Sequence, residues 1–102
     1  MPDFRVSKAA QKDIREIGRY TQREWGTRQR RNYLAGMDRQ FAHLARSPLL
    51  AAERLEFDPP VRIFLYEKHL IVYRAEDTGI FIIRVLHESM DIASKIAPHR
   101  MA

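Results

Sequence analysis

The spacing of apolar residues changes halfway along this chain, and the change divides it into two kinds of structure. Residues 3–6, "DFRV", alternate polar and apolar positions and predict a short first strand. Ser7 follows as an N-cap, its hydroxyl placed to accept from an orphan N–H of a first helical turn. Ala10, Ile14, Ile17 and Thr21 then recur at intervals of four, three and four, with Trp25 one turn further on, which is a helical stripe. Gly26 interrupts it and suits the left-handed position just past a helix end, and Thr27 restarts as a second N-cap. Leu34, Met37, Phe41 and Leu44 form the next stripe. Ser47-Pro48 ends it, because the residue before a proline is pushed out of helical geometry. Two amphipathic helices joined by a Gly-Thr corner predict an antiparallel hairpin whose stripes need a common surface.

The second half supplies that surface. After an irregular segment containing Pro59-Pro60, "VRIFLY" places Val61, Ile63 and Leu65 on one face and Arg62, Phe64 and Tyr66 on the other. "HLIVYRA" and "IFIIRVLH" are apolar on both faces, apart from Arg84, as central strands are. Glu67-Lys68 and Glu76-Asp77-Thr78-Gly79 are short enough for hairpins. "MDIASKI" predicts a final short helix. The expected fold is α+β, in the order β-α-α-β-β-β: a helix hairpin on one face of a small, mainly antiparallel sheet, with a C-terminal helix.

Length adds that 102 residues make one domain, able to bury a core without disulfide or metal. The chain has no cysteine, which excludes disulfide scaffolds, thiol nucleophiles and thiolate metal sites and fits a reducing cytosol. The opening "MPDFRVSKAAQKD" carries charges every few residues and lacks a secretory apolar region, and no apolar stretch approaches the ~18 residues of a membrane span. A cytoplasmic protein with no membrane partner is therefore expected. Charge is uneven: residues 1–46 hold eleven Lys/Arg against five Asp/Glu, and residues 47–102 hold seven against eight. Basicity belongs to the hairpin, where Lys12, Arg15, Arg19 and Arg23 lie off the apolar stripe, and it favours an acidic partner. Arg28, Arg30, Arg31 and Arg39 admit a DNA reading, but no helix-turn-helix accompanies them, so a solvated or steering face is the better expectation.

The polar groups that interrupt the last strand, in "IIRVLHESMD", are the candidates for chemistry. Arg84 has apolar neighbours, so its charge requires a carboxylate or carbonyl partner, Asp91 or Glu88 being nearest in sequence. His87, at a strand end, reads first as a hydrogen-bonded rim residue that reaches Asp91 and anchors the last helix. His43, His69, His87 and His99 show no ligand spacing, so no metal and no cofactor is expected.

Taken in register, three blocks resemble the ParE/RelE superfamily of bacterial type II toxins, and the plasmid-stabilisation (ParE) branch most. These are "FRVSKAAQKDIREIGRYTQREWG", "RQRRNYLAGMDRQFAHLARSP" and "VRIFLYEKHLIVYRAEDTGIFIIRVLHESMD". The third is the most specific, with its Arg before the first sheet strand, its Tyr-Arg ending the second, and Arg-Val-Leu-His with an Asp four residues on. One departure is that "SPLLAAERLEF" lacks the glycine-containing turn common after the helix-ending proline, which leaves the loop at 49–58 open.

The resemblance implies a toxin paired with a small ParD-like antitoxin, ribbon-helix-helix at its N-terminus and disordered at its C-terminus, in a hetero-oligomer that reaches DNA only through the antitoxin. ParE-like toxins poison DNA gyrase, whereas RelE-like relatives cut messenger RNA on the ribosome, and fold alone does not choose. The ribonuclease alternative needs a base, an acid and cations on the phosphate. Arg62, Arg84 and His87 are its candidates here, with Arg74 beside them, and Arg62 and Arg84 are expected to approach one another on the sheet. Glu53, Glu56 and Asp58 are not tied to His87, and "ASKIAPHRMA" has no Tyr. An inert antitoxin-binding module is a third reading. For the antitoxin groove the expected residues are Leu49, Leu50, Phe57, Phe64, Arg62 and Arg84. For the target, within residues 88–102, they are Met90, Ile92, Lys95 and Ile96.

Overall fold

A computed structural model describes residues 3–100, with side chains through Ile96. The elements are β1 (Asp3–Val6), α1 (Lys8–Arg46), β2 (Glu53–Arg54), β3 (Val61–Tyr66), β4 (His69–Glu76), β5 (Gly79–His87) and α2 (Ile92–Arg100). They form one five-stranded sheet in the order β1-β5-β4-β3-β2, in which β1 runs parallel to β5 and the other pairs are antiparallel. The expected α+β architecture is present, with β2 as a two-residue addition.

The expected helix hairpin is present within α1. Gly26 sits at φ 91°, ψ 172°, which no helix contains, and splits α1 into arms at 8–25 and 27–46. The arms fold back on each other. A methyl group at Gly18 would lie 3.1 Å from Arg30 Nε and 3.2 Å from Leu34 Cδ1, and Arg30 Nη1 donates to Gln22 Oε1 at 2.7 Å. Gly18 and Leu34, and likewise Gln22 and Arg30, are equidistant from Gly26, as a hairpin hinged there requires. Ser7 caps the first arm, accepting from Ala10 N–H at 2.9 Å while donating to Ile83 O at 2.7 Å, so the cap also fastens the helix to β5.

Both stripes end on the sheet except at the hairpin tip. Ala10, Ile17, Met37, Phe41 and Leu44 are buried with Ile71, Tyr73, Ile80, Ile82 and Val85. Phe41 meets Phe4 of β1 edge-on, at 5.4 Å between ring centres. Full burial of one such side chain stabilises by roughly 1.5–3 kcal/mol. Trp25 is not part of this core: it is 64% exposed, because the hairpin projects past the end of the sheet and the stripe there has nothing left to cover.

The other face of the sheet carries a second, smaller cluster of Val61, Val72, Leu86 and Ile96, flanked by half-buried Phe57, Ile63, Ile83 and Ile92. The helix α2 and the segment before β3 thus cover the face opposite the hairpin. Strand β5 serves both faces through a bulge. Tyr73 pairs with Ile82 and Val72 with Arg84, which leaves Ile83 as one extra residue. That residue inverts the alternation, so Ile80, Ile82 and then Val85 face the hairpin while Leu86 faces α2.

Gly79 opens β5 at φ 154°, and any Cβ there would collide with the backbone of Asp3, its partner on β1. Only glycine allows this close approach of the parallel pair. The loop whose turn lacks glycine is held by side chains instead: Tyr73 hydroxyl donates to Pro48 O at 2.9 Å and Arg62 Nη1 to Ala51 O at 2.6 Å.

Candidate functional site

The polar residues of the last strand are not assembled into one site. Arg84 makes a bidentate pair with Asp13 of α1, Nε to Oδ2 at 2.8 Å and Nη2 to Oδ1 at 2.9 Å, and Asp13 Oδ2 also accepts from Val85 N–H at 3.0 Å. The side chains are 19% and 9% exposed, and the carboxylate, chiefly through this hydrogen bonding, raises the Arg84 pKa above its ordinary value. The expected partners Asp91 and Glu88 are thereby corrected. Asp91 Oδ1 instead accepts from Ala93 N–H at 3.1 Å, capping α2, and Glu88 Oε2 lies 3.7 Å from Lys68 Nζ. Local sequence hid the true partner, which lies 71 residues away on the face that the bulge turns toward the hairpin.

Nor do Arg62 and Arg84 approach one another. They lie on β3 and β5 with β4 between, Arg62 opposite Tyr73 and Arg84 opposite Val72, and each is occupied, by Ala51 O and Asp13 respectively. His87 does not reach Asp91. Its Nδ1 accepts from Ser89 N–H at 3.1 Å and lies 2.8 Å from Ser89 Oγ. Its ring packs edge-on against His69, at 5.5 Å between centres. The ribonuclease trio is therefore dispersed over three separate hydrogen-bonding environments.

One constellation was not expected from sequence. Tyr33 of the second arm hydrogen-bonds His69 Nδ1 at 2.6 Å, at the mouth of a cleft of about 370 Å³ between the hairpin tip and the sheet end. Burial pushes the Tyr33 hydroxyl up to about 12, so it stays protonated. Burial, then the neighbouring His87, pulls His69 down to about 4, so the ring is neutral where it shares this hydrogen bond with the Tyr33 hydroxyl. Tyr20, Trp25 and Lys68 line the same cleft. The signal available in sequence was the pairing of His69 with His87 across adjacent strands, which becomes visible only once register is known.

The expected antitoxin residues are split between faces. Leu49 and Leu50 are 69% and 53% exposed on the loop after α1, and Leu55, not anticipated, is 74% exposed beyond them. Phe64 packs against the hairpin-side core and Phe57 against the far-face cluster, so the two do not line one groove, and Arg62 braces the loop from within. The expected target residues divide too. Met90 and Lys95 are exposed, Ile92 is half-buried and Ile96 is 8% exposed in the second cluster. An open cleft of about 570 Å³ separates the start of α2 from residues 54–58. His99 and the end of the expected 88–102 segment fall outside the described side chains.

The solvent side of the first arm carries a continuous cationic stripe, with the exposed acids Glu16 and Glu24 beside it. Lys8, Lys12, Arg15, Arg19 and Arg23 are all exposed and lie at intervals of four, three, four and four, opposite buried Ala10, Ile17 and Thr21. Among the described residues only Arg23 of these five has an acid within 4.0 Å, Glu24 at 3.7 Å. Each like-charged neighbour three or four apart costs a helix roughly 0.2–0.5 kcal/mol, so the stripe works against the stability of the arm that carries it.

The comparisons with known proteins agree with this architecture. The family model described as "ParE toxin of type II toxin-antitoxin system, parDE" matches residues 4–92. Toxin ParE of Escherichia coli is 32% identical over 99 residues, covering 95% of both chains. Toxin ParE1 of Caulobacter vibrioides is 28% identical over 91 residues, covering 89% of this chain and 94% of that protein. The solved structure titled "Chromosomal ParDE TA system from P. aeruginosa" shares the fold at a TM-score of 0.72 and 19% identity, covering 85% of this chain and 96% of that one. The chain belongs to the ParE toxin family of type II toxin–antitoxin systems.

Proposed function

We propose that this chain is the toxin of a two-component pair, held inactive by a ParD-like antitoxin in a cytoplasmic hetero-oligomer, and that once free it inhibits DNA gyrase as a protein ligand rather than as an enzyme. Family membership supports the toxin reading. The observation that carries the non-enzymatic part is the Asp13–Arg84 pair: the cation best placed for a phosphate is already bound bidentately inside the fold. Arg62 is likewise committed to a backbone carbonyl, so of the three candidate arginines on the sheet only Arg74, stacked over Phe81, is left for a phosphate.

In this reading the antitoxin lies over the exposed Leu49, Leu50 and Leu55, burying apolar surface as it folds. Arg62 and Arg84 act there only by holding the loop and the hairpin in place. Target contact falls to the outer side of α2 and the turn before it, with Lys95 and Met90 exposed and Ile92 and Ile96 holding the helix on the sheet.

Purified toxin added to gyrase and relaxed plasmid tests the proposal. The expected result is loss of supercoiling with accumulation of cleaved DNA, relieved by the antitoxin. In cells expressing the toxin alone, DNA breaks with intact messages are expected. Rapid message cleavage without DNA breaks would establish the ribonuclease instead, and an absence of any growth effect from soluble toxin would leave an inert module.

A further inference from the structure

We infer that the cationic stripe on the first arm of α1 is a docking surface for the phosphate backbone of duplex DNA. Lys8, Lys12, Arg15, Arg19 and Arg23 fall, at 100° per residue, within a sector about 80° wide and span about 22 Å along the axis. That length is roughly two-thirds of a turn of B-DNA. The stripe has no structural task, since the residues that hold the arm to the sheet are on its other side. Glu16, exposed at its flank, is four residues from Lys12 and three from Arg19, and among the described residues no ion pair joins it to either. Its like-charged neighbours repel each other until an anion lies along them.

Two polyanions are available in principle, an acidic peptide and a nucleic acid, and the stripe favours the second. A peptide that folds onto a surface takes much of its affinity from apolar burial, and this sector offers none. The exposed leucines at 49, 50 and 55 lie elsewhere, on the loop that follows the second arm. A phosphate backbone needs only cations at helical spacing. The inference departs from the expectation that DNA is reached solely through the antitoxin. It rests on the gyrase reading only for its setting: gyrase holds DNA, and a toxin that touches both binds the enzyme–DNA complex more tightly than either alone.

The test is fluorescence anisotropy of the purified toxin with a labelled duplex of about 20 base pairs across a salt series. Five neutralised phosphates predict a slope of log K against log salt of about −4.5, and partial engagement a slope of about −3. Lys12→Gln with Arg19→Gln should weaken binding at least about ten-fold at low salt and flatten the slope by about 1.8. Arg39→Gln with Arg46→Gln removes the same charge from exposed sites on the second arm and should leave the slope nearly unchanged. All four positions are solvent-exposed and glutamine is a good helix former, so circular dichroism should confirm folded variants. Equal weakening by both pairs means that net charge alone is at work and overturns the inference. So does equal affinity for poly-L-glutamate, or no duplex binding at low salt. Toxin that inhibits gyrase without binding duplex refutes the stripe and spares the gyrase reading; duplex binding without inhibition does the reverse.

Discussion

The two faces of the sheet are built to different standards. Toward the hairpin, large side chains such as Phe41, Met37 and Tyr73 are fully buried, and the polar groups among them are satisfied: Asp13 by Arg84 and Val85 N–H, Tyr73 by Pro48 O, Tyr66 by Tyr33 O. Toward α2, a smaller cluster of four buried residues is covered by a short helix beside an open cleft. The first face carries the stability of the fold. The second has fewer buried side chains under its cover, and the proposed target-binding element is part of that cover.

The largest expected effect breaks the first face. Asp13→Ala leaves a mostly buried guanidinium and the Val85 N–H without an acceptor, and removal of one partner of such a pair typically costs about 3–5 kcal/mol. Because 19% of the Arg84 side chain still reaches solvent, the lower end is expected, read as a shift in the urea midpoint at constant slope. Replacing both partners, Asp13→Leu with Arg84→Met, should recover much of the loss, because the penalty belongs to the unpaired charge rather than to the missing bond. No recovery would mean that the pair is needed for packing geometry, and the contrast between the faces would then rest on shape rather than on polar satisfaction.

Much of this architecture was legible in the chain, and the unread parts share a cause. The stripes Ala10-Ile17 and Met37-Phe41-Leu44, the break at Gly26 and the three long strands follow from periodicity within single elements. What periodicity cannot reveal is where two elements meet. Arg84 invited a partner nearby and found Asp13 across the fold, on a face it reaches only because Ile83 bulges. Trp25 continued a helical stripe past the end of the sheet that the stripe covers. Two-residue β2 is too short to show alternation, and β1 joins in parallel, which its own four residues do not encode. The candidate site suffered most, since Tyr33, His69 and His87 come from three elements.

A smaller effect comes from pH, again on the hairpin side. His69 is neutral in the fold down to about pH 4, whereas in the unfolded chain it titrates near 6.5. Between these values the unfolded chain binds the proton and the folded one does not. Stability is thus complete above about pH 6.5 and falls as pH drops toward 4, by on the order of 1–2 kcal/mol once solvent screening of this half-buried ring is allowed for. Carboxylates held low by arginine, Glu76 beside Arg5 and Glu56 beside Arg54, lose stability toward the acid end of the same range. His69→Gln separates the contributions. Urea unfolding from pH 7 to pH 4 should show a shallower decline in the variant, and parallel curves would remove His69 as the cause.

The smallest effect on stability should carry the largest separation from function, and it lies on the α2 side. Ile96 is buried against Val61, Val72 and Leu86, but the cleft at the start of α2 lets the neighbours relax, so Ile96→Ala should cost about 2 kcal/mol, the low end for such truncations. The protein should remain folded, with the hairpin-side amides as protected in hydrogen exchange as before and those of α2 exchanging faster. If α2 and the turn that leads into it carry Lys95 and Met90 to the target, inhibition of gyrase should fall by much more than the loss of folded protein explains, while affinity for the antitoxin at Leu49 and Leu50 stays close to that of the unaltered chain. Inhibition that survives Ile96→Ala would move target contact off α2, and the hairpin, with its one-signed outer stripe, would be the surface left to provide it.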